Sequence, residues 1–243
     1  MRDVLDVHVH TTASGHAYST IGECIAAARK KNLELIGFAE HGPLIPGTTN
    51  EFYFRNFKVI RRELDGIKIA MGAELNIIDF SGSTDLPAQI LKRIDYAIAS
   101  LHNPCIDPGS LAENTAAIIG AMRNPYVVII GHPDNPNYPI DFEAVVRAAK
   151  DNHVLLEINN SSYYAGSHRR GSDKAAREML TLCKKYGAEI IMGSDAHVEQ
   201  DVGNHELSQK VLAENNFPEE LVVNSNPEKF FEYVRYRKSL APK

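Results

Sequence analysis

The sequence has few of the features that mark secreted or membrane proteins. It contains only three cysteines, Cys24, Cys105 and Cys183, which lie far apart and form no Cys-x-x-Cys pair. A disulfide framework is therefore not expected, and a reducing compartment such as the cytoplasm is predicted. No apolar run is long enough to span a membrane, and the first residues lack the apolar segment of a signal peptide.

Basic residues are also in the minority. Lys and Arg number 26 against 31 Asp and Glu, and the net charge is -5. Because phosphate backbones attract basic surfaces, this balance argues against a general nucleic-acid-binding protein. No linker, low-complexity tract or internal repeat marks a second domain. Residues 1–243 are therefore predicted to form one domain with a substantial core.

The clearest regularity is an alternation of apolar strands with helical segments. Strands are predicted near residues 4–8, 35–39, 68–73, 96–100, 127–131, 154–158 and 189–193. Helices are predicted at 20–31, 110–123, 141–151, 172–186, 206–215 and 227–237. Thr20 with Glu23, and Ser110 with Glu113, are typical capping boxes. Seven strands alternating with helices predict an α/β fold with a parallel (β/α)7 barrel, and a doubly wound open sheet is the alternative.

The first strand carries the most informative motif. Its sequence is Asp6-Val7-His8-Val9-His10. Because side chains alternate between the two faces of a strand, Asp6, His8 and His10 are expected to share one face. Two imidazoles on one face can bind the same metal ion, and Asp6 is expected either to orient them or to cap the barrel floor.

Polar residues also follow the other predicted strands. In parallel strand–helix folds the carboxyl ends of the strands meet on one side, where active sites are built. Seven of the ten histidines and two carboxylates are expected there. Imidazoles with carboxylates suit Zn²⁺, Mn²⁺ or Fe²⁺, and nine ligands exceed the three or four that one zinc uses. The predicted metal ligands are His8, His10, His16, His41, Glu74, His102, His132, Asp195 and His197.

These residues stand in motifs that resemble a known family. The chain is similar to the PHP (polymerase and histidinol phosphatase) superfamily, and within it to the YcdX-like phosphatases. The matching segments are 6–11, 16–20, 40–43, 72–74, His102, 131–133, 157–162 and 193–197. The resemblance implies a distorted seven-stranded barrel of the PHP type, with three divalent ions, usually zinc, at the carboxyl ends of the strands.

The same resemblance implies how the ligands divide. One ion would take His8, His10, Glu74 and Asp195. A second would share Glu74 and add His102 and His132. A third would take His16, His41 and His197. One position departs from the family pattern, because Glu40 stands where Asp is expected before His41.

The resulting hypothesis is a metal-dependent phosphatase. Metal-bound hydroxide would hydrolyse a small phosphomonoester, with Glu74, Asp195 and His197 taking part in catalysis. Arg169 and Arg170, in the irregular stretch 159–171, are expected either to bind the phosphate or to be solvated loop charges. The long stretch 42–57 is also expected to border the substrate or to be plain surface loop. Neither association with a membrane nor a nucleic-acid partner is expected.

Three other functions remain open at this point. An amidohydrolase-type enzyme that cleaves C–N bonds also begins with His-x-His on its first strand, but it would leave His16, His41 and His197 without a role. A PHP-type nuclease or phosphodiesterase would use the same ligands. A metal-binding protein without catalytic activity would hold the ions and hydrolyse no ester.

Overall fold

The computed structural model describes residues 1–242. Its strands are β1 (Leu5–Val9), β2 (Leu35–His41), β3 (Glu63–Leu64), β4 (Ile67–Asn76), β5 (Ala97–Ser100), β6 (Val127–Ile130), β7 (Leu155–Asn159) and β8 (Ile190–Gly193). Its α-helices are α1 (Ile21–Lys30), α2 (Glu51–Arg55), α3 (Ala88–Leu91), α4 (Leu111–Ala121), α5 (Phe142–Asn152), α6 (Ser172–Tyr186), α7 (Glu206–Glu214) and α8 (Pro227–Ser239).

Seven of the strands form a parallel sheet in the order β1-β2-β4-β5-β6-β7-β8. The two ends of this sheet approach each other, because Val9 bridges Ala196 and the amide of His10 donates to the Ala196 carbonyl at 2.9 Å. The short β3 pairs antiparallel with β4. The sheet is therefore a nearly closed (β/α)7 barrel, which confirms the predicted barrel and excludes the open-sheet alternative.

Helices of the described residues cover the outside of the barrel and one end. The predicted capping boxes of Thr20 with Glu23 and Ser110 with Glu113 are both formed. The strand β3 and the short helices α2 and α3 were not predicted, because segments this short give little periodicity. Within residues 1–242 we find no helix whose length and apolar character would let it cross a membrane.

Strand β1 contains an irregularity that corrects the prediction for Asp6. Asp6 pairs with Ile36 and Val9 pairs with Phe38, so three steps on β1 match two on β2. Such a bulge inserts one residue and reverses the alternation of side chains beyond it. Ile36 and Phe38 share a face, and so do Asp6 and Val9, whereas His8 and His10 lie on the opposite face. The prediction that Asp6 shares the face of His8 and His10 is therefore wrong.

The seam between β1 and β8 is filled by one side chain. Asn224 accepts a hydrogen bond from the Met192 amide at 2.7 Å and donates to the carbonyls of Leu5 and Met192 at 3.1 and 3.0 Å. The Asn224 carbonyl also accepts from the Val4 amide at 3.0 Å. The side chain is fully buried. Asn224 thus satisfies backbone groups that a further strand would pair in a fully closed barrel.

Helix α8 closes the amino-terminal end of the barrel. Its residues Phe230, Tyr233 and Val234 pack with the inward-facing Leu5 and Leu35 in one apolar cluster. A larger cluster lies between the strands and the outer helices. Because apolar side chains fill the lower half of the barrel, the polar side chains are concentrated at the opposite, carboxyl end of the strands.

Candidate metal centre

The structure brings the predicted ligands to the carboxyl ends of the strands. Three groups have nitrogen and oxygen atoms within 4.8 Å of one another, and they share members. The groups are His8, His10 and Glu74; His10, His41 and His197; and His41, Glu74 and His102. These side chains come from β1, β2, β4 and the segments directly after β1, β5 and β8, so only the closed sheet assembles them.

The first group has the spacing of ligands around one ion. The Nε2 atoms of His8 and His10 lie 3.4 and 3.5 Å from Glu74 Oε2. The same two nitrogens lie 3.7 and 3.2 Å from Asp195 Oδ1. Ligands about 2.0–2.1 Å from a tetrahedral zinc would be roughly 3.3–3.4 Å apart. The four atoms can therefore surround a single divalent ion.

The other oxygen of Glu74 faces a second pair of imidazoles. Glu74 Oε1 lies 3.3 Å from His102 Nε2 and 3.1 Å from His132 Nε2. Ser100 Oγ donates to the same oxygen at 2.7 Å, which fixes the carboxylate plane. With one oxygen facing each pair of imidazoles, the Glu74 carboxylate lies between the two groups.

The third predicted set lies at the outer side of the first. The ring of His16 lies 4.9 Å from that of His41 and 4.8 Å from that of His197. His41 Nδ1 also lies 2.8 Å from Glu74 Oε2. Unlike His41 and His197, His16 belongs to none of the three groups within 4.8 Å. The three imidazoles are thus neighbours, with His16 the most peripheral.

Hydrogen bonds fix the tautomers of the two histidines on β1. Ser14 Oγ donates its only proton to Glu40 at 2.6 Å, so it accepts from His10 Nδ1 at 3.2 Å. His8 Nδ1 donates to Glu157 Oε1 at 2.6 Å. In the neutral form of both rings the proton is on Nδ1, so that Nε2 can present a lone pair to a metal ion. Glu40, the departure from the family pattern, thus acts through Ser14 on a predicted ligand.

The same arrangement recurs at the other side of the centre. His102 Nδ1 lies 2.7 Å from Asn76 Oδ1, an oxygen that can only accept, so His102 donates. His197 Nδ1 donates to the carbonyl of Asp195 at 3.0 Å. The Nδ1 atoms of these imidazoles are thus used as donors, which leaves Nε2 as the nitrogen available for metal ligation.

Four buried atoms at this place have no hydrogen-bond partner in residues 1–242. They are His8 Nε2, His10 Nε2, His41 Nδ1 and Glu74 Oε2, the last two lying 2.8 Å apart without hydrogen-bond geometry. Leaving such atoms unpaired away from water costs about 1–3 kcal/mol each. Because all four converge within one cluster and are lone-pair donors, the residues present fit a divalent metal ion.

The carboxylates of the centre are ionised at neutral pH. Burial alone would raise the pKa of Glu74 and of Asp195, but the imidazoles around them outweigh burial and hold both pKa values well below their usual range. Burial would lower the pKa of His8, yet Glu157 and the other carboxylates raise it well above its ordinary value. Burial lowers the pKa of His132 to about 4. The pocket is thus electrostatically prepared for cations.

Two predicted ligands have unusual backbone conformations. His132 has φ of 33° and Asp195 has φ of 56°, in the left-handed region that non-glycine residues rarely adopt. Hydrogen bonds to carboxylates that are not predicted ligands hold both segments in place. The amide of His132 donates to Glu157 at 2.8 Å, and the neighbouring Ser194 donates to the carboxylate of Asp6 at 2.5 Å. Asp6 therefore acts on the loop that carries Asp195, rather than on the imidazoles.

A cavity of about 710 Å³ opens over the predicted ligands. Arg169 is 7% exposed, lines this cavity, and donates through Nη1 to Asp195 Oδ2 at 3.2 Å. Arg170 is exposed and does not line the cavity. The stretch 159–171 contributes Tyr164 and His168 to the lining, and the stretch 42–57 contributes Ile45. Both long loops thus border the cavity, but only one of the two arginines does.

Sequence reasoning missed two buried residues that position other side chains, Glu157 and His205. Glu157 interrupts an apolar strand, and a buried carboxylate there was a signal of its role. His205 is buried between Asp3 and Asp6, at 2.9 and 3.6 Å, and no motif in the sequence marks this contact. Cys105, near His102 in the sequence, is a neutral thiol, because burial raises its pKa to about 11.

Comparison with known proteins places this geometry in a family. The PHP domain family matches residues 6–241. The chain belongs to the PHP family. A probable phosphatase of Clostridium novyi (strain NT) is 46% identical over 240 residues, 99% of this chain and 98% of that protein. A probable phosphatase of Caldicellulosiruptor saccharolyticus is 47% identical over 231 residues, 95% of each chain.

A solved PHP-like structure has the same fold. The histidinol phosphate phosphatase of Lactococcus lactis, in complex with zinc, L-histidinol and phosphate, superposes with a TM-score of 0.62. It is 18% identical and covers 90% of this chain and 95% of its own. The predicted PHP-type barrel is confirmed. The predicted class of enzyme, a phosphoric ester hydrolase, is confirmed by the full-length PHP relatives.

Proposed function

We propose that this PHP protein is a phosphatase that hydrolyses a small phosphomonoester with three divalent ions, zinc foremost, held by the nine predicted ligands. The observation that carries the proposal is the convergence of four buried, unpartnered ligand atoms from His8, His10, His41 and Glu74. The full-length relatives named probable phosphatases support the reaction class. When bound, such ions activate water and neutralise charge on a phosphoryl group.

The residues of the chain have separable tasks in this proposal. Glu74 offers one oxygen to each of two neighbouring sites, because its oxygens face different imidazole pairs. Asp195 turns Oδ1 to the imidazoles of β1 and Oδ2 to Arg169. His197 lines the cavity and is oriented through its Nδ1 proton. Glu74, Asp195 and His197 are the proposed catalytic set.

Arg169 is the proposed phosphate-binding residue. Its Nη1 donates to Asn159, Ser162 and Asp195, while Nε is buried without a partner in the described chain. A guanidinium has five N–H donors in a rigid plane, and Nη2 makes no hydrogen bond within residues 1–242. The fixed Nη1 sets the orientation of the plane, so the remaining donors can engage phosphate oxygens in the cavity.

One experiment tests the metal and the reaction together. Metal content of the purified protein is measured by elemental analysis, and turnover is measured with p-nitrophenyl phosphate, cyclic amides and a labelled oligonucleotide. Glu74→Gln is expected to lose at least one metal and most phosphatase activity. Glu178→Gln, on the exposed side of α6, is the matched control. Full metal and normal turnover in Glu74→Gln would remove the bridge, and amide or oligonucleotide cleavage without phosphatase activity would refute the proposed function.

A further inference from the structure

The cavity over the metal centre is larger than a phosphate group alone requires. Its volume of about 710 Å³ lies in the range of pockets that enclose a whole small molecule. The predicted ligands form its floor. The remaining wall must therefore contact the part of the substrate that leaves after hydrolysis, and its chemistry indicates what that part is.

Neutral hydrogen-bonding groups lie among apolar residues such as Ile45, Leu101 and Pro104 on this wall. Asn135 is only 7% exposed, and its Oδ1 accepts from the amide of Asn137 at 3.1 Å. The side-chain Nδ2 atoms of Asn135 and Asn103 donate to no group within residues 1–242, and both residues line the cavity. Ser161 and Ser167 add hydroxyls to the same wall. Carboxamides and hydroxyls pair well with the hydroxyl groups of a ligand.

The wall offers no free carboxylate. Asp195 is the one acidic residue among the described residues that line the cavity. Both of its oxygens are engaged, since Oδ1 lies 3.2 Å from His10 Nε2 and Oδ2 accepts from Arg169. An ammonium group would enter a cavity that already holds Arg169 and, on the proposed function, divalent cations. A cation without a counter-ion is strongly disfavoured there.

The wall also lacks a platform for an aromatic base. Apart from the predicted metal ligands, Tyr164 and His168 are the aromatic side chains among the described residues of the lining, and both are exposed at the rim, Tyr164 by 61%. Recognition of bases relies on stacking against aromatic or guanidinium planes. The guanidinium of Arg169 is buried and tied to Asp195. A nucleoside would therefore find little to stack on.

We infer that the leaving group is neutral and polyhydroxylated, so that the substrate is a sugar or polyol phosphate rather than an aminoalkyl phosphate or a nucleotide. This inference rests on the proposed function. It names Asn135 and Asn103 as the residues that recognise the hydroxyl groups, and it attributes selection against amines to the absence of a free carboxylate.

A matched pair of substrates tests the inference. Glucose 6-phosphate and glucosamine 6-phosphate differ by one hydroxyl replaced by an ammonium group. The metal-loaded enzyme is expected to have a kcat/KM at least about tenfold higher for glucose 6-phosphate, because an unpaired polar group is that costly. Adenosine monophosphate is expected to rank below glucose 6-phosphate. p-Nitrophenyl phosphate reports the hydrolytic chemistry independently of these contacts.

Two variants assign the selection to residues. Asn135→Leu is expected to lower the ratio of kcat/KM for glucose 6-phosphate to that for p-nitrophenyl phosphate by about tenfold, as the loss of one hydrogen bond predicts. Gln89→Leu, at an exposed position on α3, is the matched control and should keep the ratio. Asn103→Asp supplies a carboxylate and should narrow or reverse the preference against glucosamine 6-phosphate. Metal content is measured for each variant.

The outcomes distinguish a failure of this inference from a failure of the proposed function on which it rests. Hydrolysis of p-nitrophenyl phosphate with equal or better use of glucosamine 6-phosphate or adenosine monophosphate would overturn the inference and leave the phosphatase intact. An unchanged ratio in Asn135→Leu would overturn the role of Asn135. A fully metal-loaded enzyme that hydrolyses none of these esters would refute the proposed function, and the inference with it.

Discussion

Glu157→Gln should weaken metal binding although Glu157 belongs to none of the predicted ligand sets. Glu157 Oε1 accepts from His8 Nδ1 at 2.6 Å, and Oε2 accepts from the amides of His132 and Asn159 at 2.8 and 3.0 Å. In the variant the two amide donors favour the remaining oxygen at the Oε2 position. The new NH2 group then faces His8, which must move its proton to Nε2 or lose the hydrogen bond.

The size of this effect follows from the role of Glu157, which orients the predicted metal ligand His8. A proton on His8 Nε2 would point at Glu74 Oε2, 3.4 Å away, and occupy the lone pair that the metal needs. Changes to groups that orient metal-ligating histidines typically cost about 10–100-fold in metal affinity. This range equals roughly 1.4–2.7 kcal/mol at 25 °C.

Competition with a chromogenic zinc chelator measures the affinity directly. We expect Glu157→Gln to bind the metal ion that has His8 as a ligand less tightly than the wild type does. Excess metal should restore phosphatase activity. Glu178→Gln serves as the control for the same chemical change at a surface position. Thermal unfolding of the metal-free proteins checks that the fold is intact. Wild-type affinity in a folded Glu157→Gln protein would refute the assignment of the His8 tautomer.

Three further predictions concern stability and pH. Asn224→Ala leaves three buried backbone hydrogen-bonding groups unpaired at the barrel seam. Urea unfolding of the metal-free protein should therefore show a free energy of unfolding lower by about 3 kcal/mol or more. A decrease of less than about 1 kcal/mol would contradict this role of the side chain. Burial would lower the pKa of His205, but its hydrogen bond to Asp3 at 2.9 Å and the negative charge of Asp6 outweigh burial and raise that pKa to about 10. The resulting stabilisation is fully present below about pH 6.5 and is lost as the pH rises through about 10, where the free energy of unfolding falls by up to about 1.4 kcal/mol per pH unit. Urea unfolding of His205→Gln should lack this dependence on pH. An equal dependence in the variant would exclude His205 as its source. Metal content measured after dialysis should fall below about pH 6, because imidazoles must be deprotonated to bind, and unchanged occupancy at about pH 4 would count against a histidine-dominated centre.

Much of the fold was predictable from local pattern. The seven parallel strands and six longer helices follow from apolar runs and capping residues that lie close together in the chain. The positions of His41, Glu74 and His132 at strand ends were enough to place them on one side of the barrel, because parallel strands share the direction of their carboxyl ends. Short elements such as α2 were missed, since one helical turn carries little periodicity.

What the sequence determined by itself is therefore the type of ligands and the edge of the barrel on which they lie. Only the tertiary structure decided which ring nitrogen of His8 is free, because its partner Glu157 is 149 residues away. The bulge that turns Asp6 away from His8 depends on pairing with β2, and the approach of Arg169 to Asp195 depends on a loop that crosses the barrel mouth. Each of these features arises from contacts between distant segments, which neither the periodicity nor the spacing of residues along the chain records.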